Sequence, residues 1–168
     1  EPRCDPGARQ VLIAVGKKIP AFSLPRSDGT PWKPADALSP DGKPGKLVLY
    51  FYPKDMTEGC TLEGRDFRDL HTAFRRAKTT VIGISRDSCA RHAKFRQEGA
   101  FPFRLLSDED GTVCSLFDVI REKSLYGRKF MGIERSTFLV GPDGKLAREW
   151  RKVRVKGHAA EVDAVGGV

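Results

Sequence analysis

No C-x-x-C pair occurs in these 168 residues, and the four cysteines, Cys4, Cys60, Cys89 and Cys114, stand far apart. That argues against a structural zinc site and against a dithiol exchange centre, because both need paired sulfurs. Long apolar runs are missing as well. None approaches the ~20 residues that a helix needs to cross a bilayer, and no signal-like apolar core is present. Acidic residues are in deficit, 22 against 30 basic ones, for a net charge of +8. Such an excess would by itself suit nucleic acid or an anionic surface. The basic residues are scattered, however. The densest stretch, Arg148 to Lys156, interleaves its charges with Trp150, Val153 and Val155 as in a strand with one wet face, and no nucleic-acid motif accompanies it.

What is present suits one soluble domain. A chain of this length hides roughly 68–70% of its unfolded surface on folding, enough for a core without disulfide staples. Sparse cysteine beside an adequate core fits a reducing compartment, in which single thiols carry chemistry or do nothing. The expected location is the cytoplasm, or an organelle if a targeting segment once preceded Glu1.

Residues 1–15 show no period and are expected to be a loose arm, with a single domain over 16–168. Asp28-Gly29 predicts a tight turn in a short hairpin between Phe22 and Trp32, and Ser39 to Gly45 is dense in turn formers. Leu47 to Tyr52 is apolar without alternation, as in a central strand covered on both faces. Phe67, Leu70, Phe74 and Ala77 then recur at helical spacing, and extending that stripe backwards reaches Glu63 and Cys60. Further elements are expected at Thr80–Ile84 (strand), from Asp87 or Ser88 to Gln97 (helix, closed by Gly99), Phe103–Leu106 (strand), Asp108–Val119 (helix) and Ser136–Val140 (strand). The turn Gly141-Pro-Asp-Gly144 leads into a last strand over Lys145–Val155. The ending, Val165 to Val168, leaves little room for a full last helix. The pattern is an α/β domain with a βαβα core followed by a β-hairpin.

The segment Pro53-Lys-Asp-Met-Thr57-Glu-Gly-Cys60 lies where a buried strand ends and a helix begins. A cysteine in the first turn of a helix meets unpaired backbone N–H groups and the positive end of the macrodipole, which favour thiolate. Thr57 can aim its hydroxyl at the same pocket, Pro53 can shield it without offering an N–H, and Gly59 lets the backbone turn closely beneath the sulfur. The plain alternative for Cys60 is a small buried apolar residue.

This segment resembles the peroxiredoxin active-site pattern Pro-x-x-x-Thr-x-x-Cys, and its flanks resemble the peroxiredoxin Q group, also called bacterioferritin comigratory protein. Gly83 to Ser88, Phe103 to Asp108, Gly132 to Phe138 and Trp150 to His158 carry the resemblance over about residues 20–158. It implies a thioredoxin-like fold, with a central mixed β-sheet flanked by helices, and a thiol-dependent peroxidase in which Cys60 becomes a sulfenic acid. Arg135 matches the family's active-site arginine, which holds the thiolate and the peroxide oxygens. Glu63 either joins that hydrogen bonding or only favours the first helical turn. The resemblance also implies hydrogen peroxide and alkyl hydroperoxides as substrates and a thioredoxin- or glutaredoxin-type reductant. An antioxidant role in redox homeostasis and a monomer follow from it too. No cofactor is expected, nor, without a paired acidic ligand cluster, a metal; the scattered charge and the lack of apolar runs speak against nucleic acid and membrane as partners.

The family's usual resolving positions are occupied here by Arg65 and Arg96. Cys89, seven residues before Arg96 on the same expected helix, is the substitute, the other reading being an inert helix-start residue. Cys114 reads as core, and Cys4 as part of the arm. His71, His92 and His158 are assigned no catalytic role, and His92 reads as a helix-surface or packing residue. Two rivals differ in class: a thioredoxin-fold disulfide oxidoreductase or thiol chaperone, opposed by the lack of C-x-x-C, and a basic nucleic-acid-associated module.

Overall fold

The computed structural model describes residues 13–39 and 41–166. Most of the expected 1–15 arm, with Cys4, lies outside the described residues. A small hairpin of β1 (Leu24–Pro25) and β2 (Pro31–Trp32) closes through Gly29 at φ +86°, the backbone that Asp28-Gly29 predicts. The main sheet is built from β3 (Lys46–Phe51), β4 (Thr79–Ser85), β5 (Arg104–Ser107), β8 (Ser136–Val140) and β9 (Leu146–Trp150). Its order is β5-β4-β3-β8-β9. The β3–β4 and β4–β5 pairs are parallel, while β3–β8 and β8–β9 are antiparallel, so the sheet is mixed.

β3 lies at the centre, which explains its continuous apolar run. Leu47, Leu49 and Phe51 join the core on one face, whereas Val48, Tyr50 and Tyr52 join the other. The second face is covered by α1 (Glu58–Asp69), α2 (His71–Arg76), α3 (Cys89–Gly99) and α5 (His158–Gly166), which contribute Phe67, Phe74, Phe95 and Val162. The first face receives α4 (Thr112–Leu116) through Val113 and Cys114.

Several expectations need correction. The helix expected to run on to Ala77 breaks at Leu70, where φ −99° and ψ 7° leave the helical ladder, so α1 and α2 are separate. The expected 108–119 helix shrinks to α4, because Asp108 stays outside it and accepts hydrogen bonds from the N–H groups of Val113 (3.2 Å) and Cys114 (2.7 Å). The left-handed residue closing α3 is Ala100 at φ +52°, not Gly99. Gly99 is needed for space, since a Cβ there would lie 2.4 Å from the Phe101 ring. The last strand stops at Trp150 rather than Val155, because the Val153 N–H turns away to donate to the Arg135 carbonyl at 3.0 Å. Residues 120–133, left without an expected element, form a hairpin of β6 (Ile120–Leu125) and β7 (Arg128–Ile133). The short ending does hold a helix, α5, whose Ala159 and Val162 are buried.

Candidate active site

Strand β3 ends at Phe51, and beyond a short loop the chain presents Cys60 as the third residue of α1. Thr57 is the extended N-cap, at φ −83° and ψ 157°. Cys60 is 2% exposed and packs in the helix-side core with Tyr50, Tyr52 and Phe67. Burial is thus common to the apolar reading and the reactive one. The neighbours decide between them.

From the other end of the sequence, Arg135 enters just before β8 and places Nη2 3.4 Å from the Cys60 sulfur. Its Nη1 donates to Glu63 Oε1 at 2.5 Å. β8 lies beside β3, with Ser136 opposite Phe51, so two segments 75 residues apart meet at one end of the sheet. Gly59 makes this possible in a way different from the expected one. A Cβ on Gly59 would lie 3.1 Å from Arg135 Nη2, so the missing side chain is the space the guanidinium occupies. The expected close turn beneath the sulfur is not what requires it.

Glu63 is 1% exposed, and its Oε2 accepts no hydrogen bond from the described residues. Burial pushes its carboxyl up to about 7 against the opposing pull of Arg135. Burial also works against the Arg135 charge, but the Glu63 carboxylate and the Cys60 sulfur outweigh it and hold the guanidinium above its usual range. Glu63 therefore holds the arginine in place as well as occupying the first turns of the helix. Lys123, on a partly buried position of β6, also feels these charges. Burial and the nearby Arg135 lower it, while Cys60 acts in the opposite direction. No sequence signal singles it out, because the strand carrying it alternates charges on a mostly exposed hairpin.

Thr57 and Pro53 stand in the loop that leads to Cys60. The Thr57 hydroxyl donates to the Lys54 carbonyl at 2.8 Å, and the Thr57 carbonyl accepts from Thr61 N at 2.9 Å and Thr61 Oγ1 at 2.7 Å. No hydrogen bond from Thr57 to the sulfur is found among the described residues. Pro53 is half-buried, two residues after the strand ends. Cys89 is a free, half-buried thiol at the first position of α3, on the same face of the sheet as Cys60. Cys114 is fully buried on the opposite face, and burial together with Asp108 pushes its thiol far up.

His92 and His158 are held by internal contacts, and His92 is the more deeply placed. It is 0% exposed, and its ring joins Asp55 and the Leu106 carbonyl. His158 is buried beside Trp150 and Phe67. Its Nε2 meets the Thr137 hydroxyl at 2.8 Å, and burial pulls it down to about 4. No cluster of three or more metal-ligating side chains occurs among the described residues. No described helix is long and apolar enough to cross a membrane.

Over residues 15–149 the chain matches the AhpC/TSA family. The chain belongs to that family. Among its relatives, the peroxiredoxin Bcp of Bacillus subtilis is 46% identical over 151 residues, covering 90% of this chain and 93% of the relative. Two solved structures extend the likeness. The bacterioferritin comigratory protein of Xanthomonas campestris, described for its alkyl peroxide reduction activity, is 42% identical with a TM-score of 0.81 and covers 91% of this chain and 97% of its own. A cysteine-to-serine variant of Xylella fastidiosa peroxiredoxin Q is 40% identical with a TM-score of 0.83, covering 91% and 94%. The mixed sheet with its helices is the thioredoxin-like fold of these AhpC/TSA peroxiredoxins.

Proposed function

We propose that this AhpC/TSA protein reduces hydrogen peroxide and alkyl hydroperoxides with Cys60 as the attacking sulfur. The observation that carries the reading is the 3.4 Å approach of Arg135 Nη2 to Cys60 Sγ at the start of a helix. A guanidinium there favours the thiolate, and its remaining N–H groups can hold peroxide oxygens as charge moves onto them. Alkyl peroxide reduction, ascribed to the Xanthomonas campestris relative, is the activity this site would perform.

In the first step the thiolate attacks the terminal oxygen of ROOH. An S–O bond forms and the O–O bond breaks; sulfur loses two electrons and the peroxide gains them, and the departing RO⁻ takes up a proton as ROH. Arg135, with Glu63 behind it, and the Cys60 backbone N–H stabilise the charge on the leaving oxygen. Thr57 contributes through its hydroxyl oxygen, which keeps acceptor capacity while its O–H donates to the Lys54 carbonyl. Pro53 limits access of water. In the second step a thiolate attacks the sulfenic sulfur; a disulfide forms and the oxygen leaves as water. A thioredoxin- or glutaredoxin-type dithiol then returns both sulfurs to thiols and is itself oxidised. The antioxidant role in redox homeostasis is this cycle repeated in a monomer.

For the resolving thiol we favour Cys89, which shares a face of the sheet with Cys60. Bond formation requires Cα atoms within ~7 Å, so the start of α1 must unwind. Mass spectrometry after one equivalent of peroxide is expected to give a Cys60–Cys89 linked peptide. A persistent Cys60 sulfenic acid instead removes Cys89 from the cycle and leaves resolution to an external thiol. The activity itself is tested by peroxide consumption with excess dithiothreitol. Cys60→Ser is expected to be inert, and turnover at the wild-type rate in that variant overturns the reading.

A further inference from the structure

Five residues before Cys60, Asp55 is 1% exposed, and every polar atom of it is engaged. Tyr52 Oη donates to Oδ1 at 2.6 Å, and Oδ2 lies 2.6 Å from His92 Nδ1. The Asp55 N–H donates to Asp87 Oδ2 at 2.9 Å, and its carbonyl accepts from Arg91 Nη2 at 3.4 Å. Asp87 is itself fixed, accepting from Ser85 Oγ at 2.6 Å and from Arg91 Nε at 3.2 Å. The anchors come from the end of β3, from the end of β4 and from the first turn of α3, three elements around one residue.

The protons in this network can be counted. His92 Nε2 lies 2.8 Å from the Leu106 carbonyl, which only accepts, so Nε2 carries a hydrogen. The Nδ1···Oδ2 contact then needs one more proton, on the imidazole or on the carboxyl. Either way the His92–Asp55 pair is neutral as a unit, with both side chains 0% exposed and without solvent to replace a missing partner.

The backbone just after Asp55 is what needs this anchoring. Met56 takes φ +66°, a left-handed conformation unfavourable for a side chain of its kind. Such a residue persists only where its surroundings over-determine it. Thr57 then caps α1, and Thr61 N closes the first turn onto the Thr57 carbonyl, with Cys60 inside that turn. The direction in which the helix starts is thus set by a strained residue held at one side by Asp55.

We infer that Asp55, bound to His92, is a positioning residue for the peroxidase reaction: it fixes the strained Met56 turn and through it the first helical turn that presents Cys60 to Arg135. The inference rests on the peroxidase reading for its kinetic consequence, and on geometry alone for its structural one.

The test compares wild type, Asp55→Ala and Asp55→Asn, each checked for folding by circular dichroism. The reduced proteins are mixed with hydrogen peroxide in stopped flow, and hydrogen exchange is followed at the Thr61 amide. Asp55→Ala is expected to react roughly tenfold to a hundredfold more slowly, the loss typical of a small misplacement of a reacting group, and its Thr61 amide to exchange at least ~10-fold faster. Asp55→Asn is expected within about threefold of wild type in both readings. Its amide oxygen accepts from Tyr52 and one amide hydrogen donates to the free Nδ1 lone pair of a neutral His92, so both anchoring contacts are kept while the second amide hydrogen is left without an acceptor.

Wild-type behaviour of Asp55→Ala, or an Asp55→Asn variant as impaired as the alanine one, overturns the inference. If Asp55→Ala does not fold, Asp55→Asn decides by those same readouts, joined by the proton spectrum. A low-field His92 Nδ1–H or carboxyl resonance is expected in wild type and not in Asp55→Asn, and its absence from wild type counts against the pair. A wild-type protein inert toward peroxide defeats the proposed function, while the Thr61 exchange comparison still judges the positioning role.

Discussion

Cys60 and Cys114 are each the third residue of a helix, each almost fully buried, and each set against a charged side chain. Cys60 meets the Arg135 guanidinium at 3.4 Å, whereas Cys114 sits against Asp108, whose Oδ2 accepts from the Cys114 N–H at 2.7 Å. Burial and helix position are thus shared. The sign of the neighbouring charge is not: Cys60 faces a guanidinium, while burial and Asp108 push the Cys114 thiol up.

The widest effect should appear when the two sulfurs compete. With limiting iodoacetamide on the native reduced protein, Cys60 is expected to be modified roughly a hundredfold faster than Cys114, which should react only after unfolding. Peptide mapping of the labelled sites reads the ratio, and comparable labelling would erase the distinction.

Next in size is the charge itself. Arg135→Lys keeps the cation but loses the planar fork that spans Glu63 and Cys60 together, so it is expected to recover only part of what Arg135→Ala loses. The rate of Cys60 alkylation at neutral pH should fall in the alanine variant and less so with lysine. Full recovery by lysine would show that charge alone suffices.

Glu63 gives a smaller effect with a definite sign. Its folded-state value of about 7 lies above its ordinary 4.5, so the native state favours the protonated form. Its contribution is fully present below about pH 4.5 and lost as pH rises through 7. The unfolding free energy of wild type, read from urea titrations, should therefore fall between pH 5 and 8 relative to Glu63→Gln, by a difference on the order of 1–3 kcal/mol. Equal pH dependence in the two proteins would mean that Arg135 compensates the burial fully. Smallest is Cys114→Ala, expected to cost about 1–2 kcal/mol in chemical denaturation and nothing in peroxide turnover. A large loss of turnover would give Cys114 a role in the reaction after all.

How far the site was legible in the sequence depends on the range of each interaction. Cys60 could be placed at a helix start from local signals alone, the apolar run of β3, Pro53 and the stripe through Phe67 and Phe74. Arg135 could not, because its approach depends on the β3–β8 register, and only a family pattern drew attention to it. The need for Gly59 is hidden for the same reason, since the atom that fills its space comes from Arg135. Asp55 is one letter of a motif in the sequence and His92 a surface or packing residue there, whereas their pairing is made across 37 residues and leaves no periodic trace. The β6–β7 hairpin leaves no clear signal in the sequence because its faces are mostly exposed and carry charges without a clean apolar alternation.

We propose that Arg135 is what turns a buried cysteine into a peroxide-reactive one. The most direct measurement is the second-order rate constant of reduced Arg135→Ala with hydrogen peroxide at neutral pH, beside wild type, on protein shown to be folded. A fall of about a hundredfold or more is predicted, the scale of losing one preorganised donor of charge stabilisation. A rate within a few fold of wild type would contradict the claim.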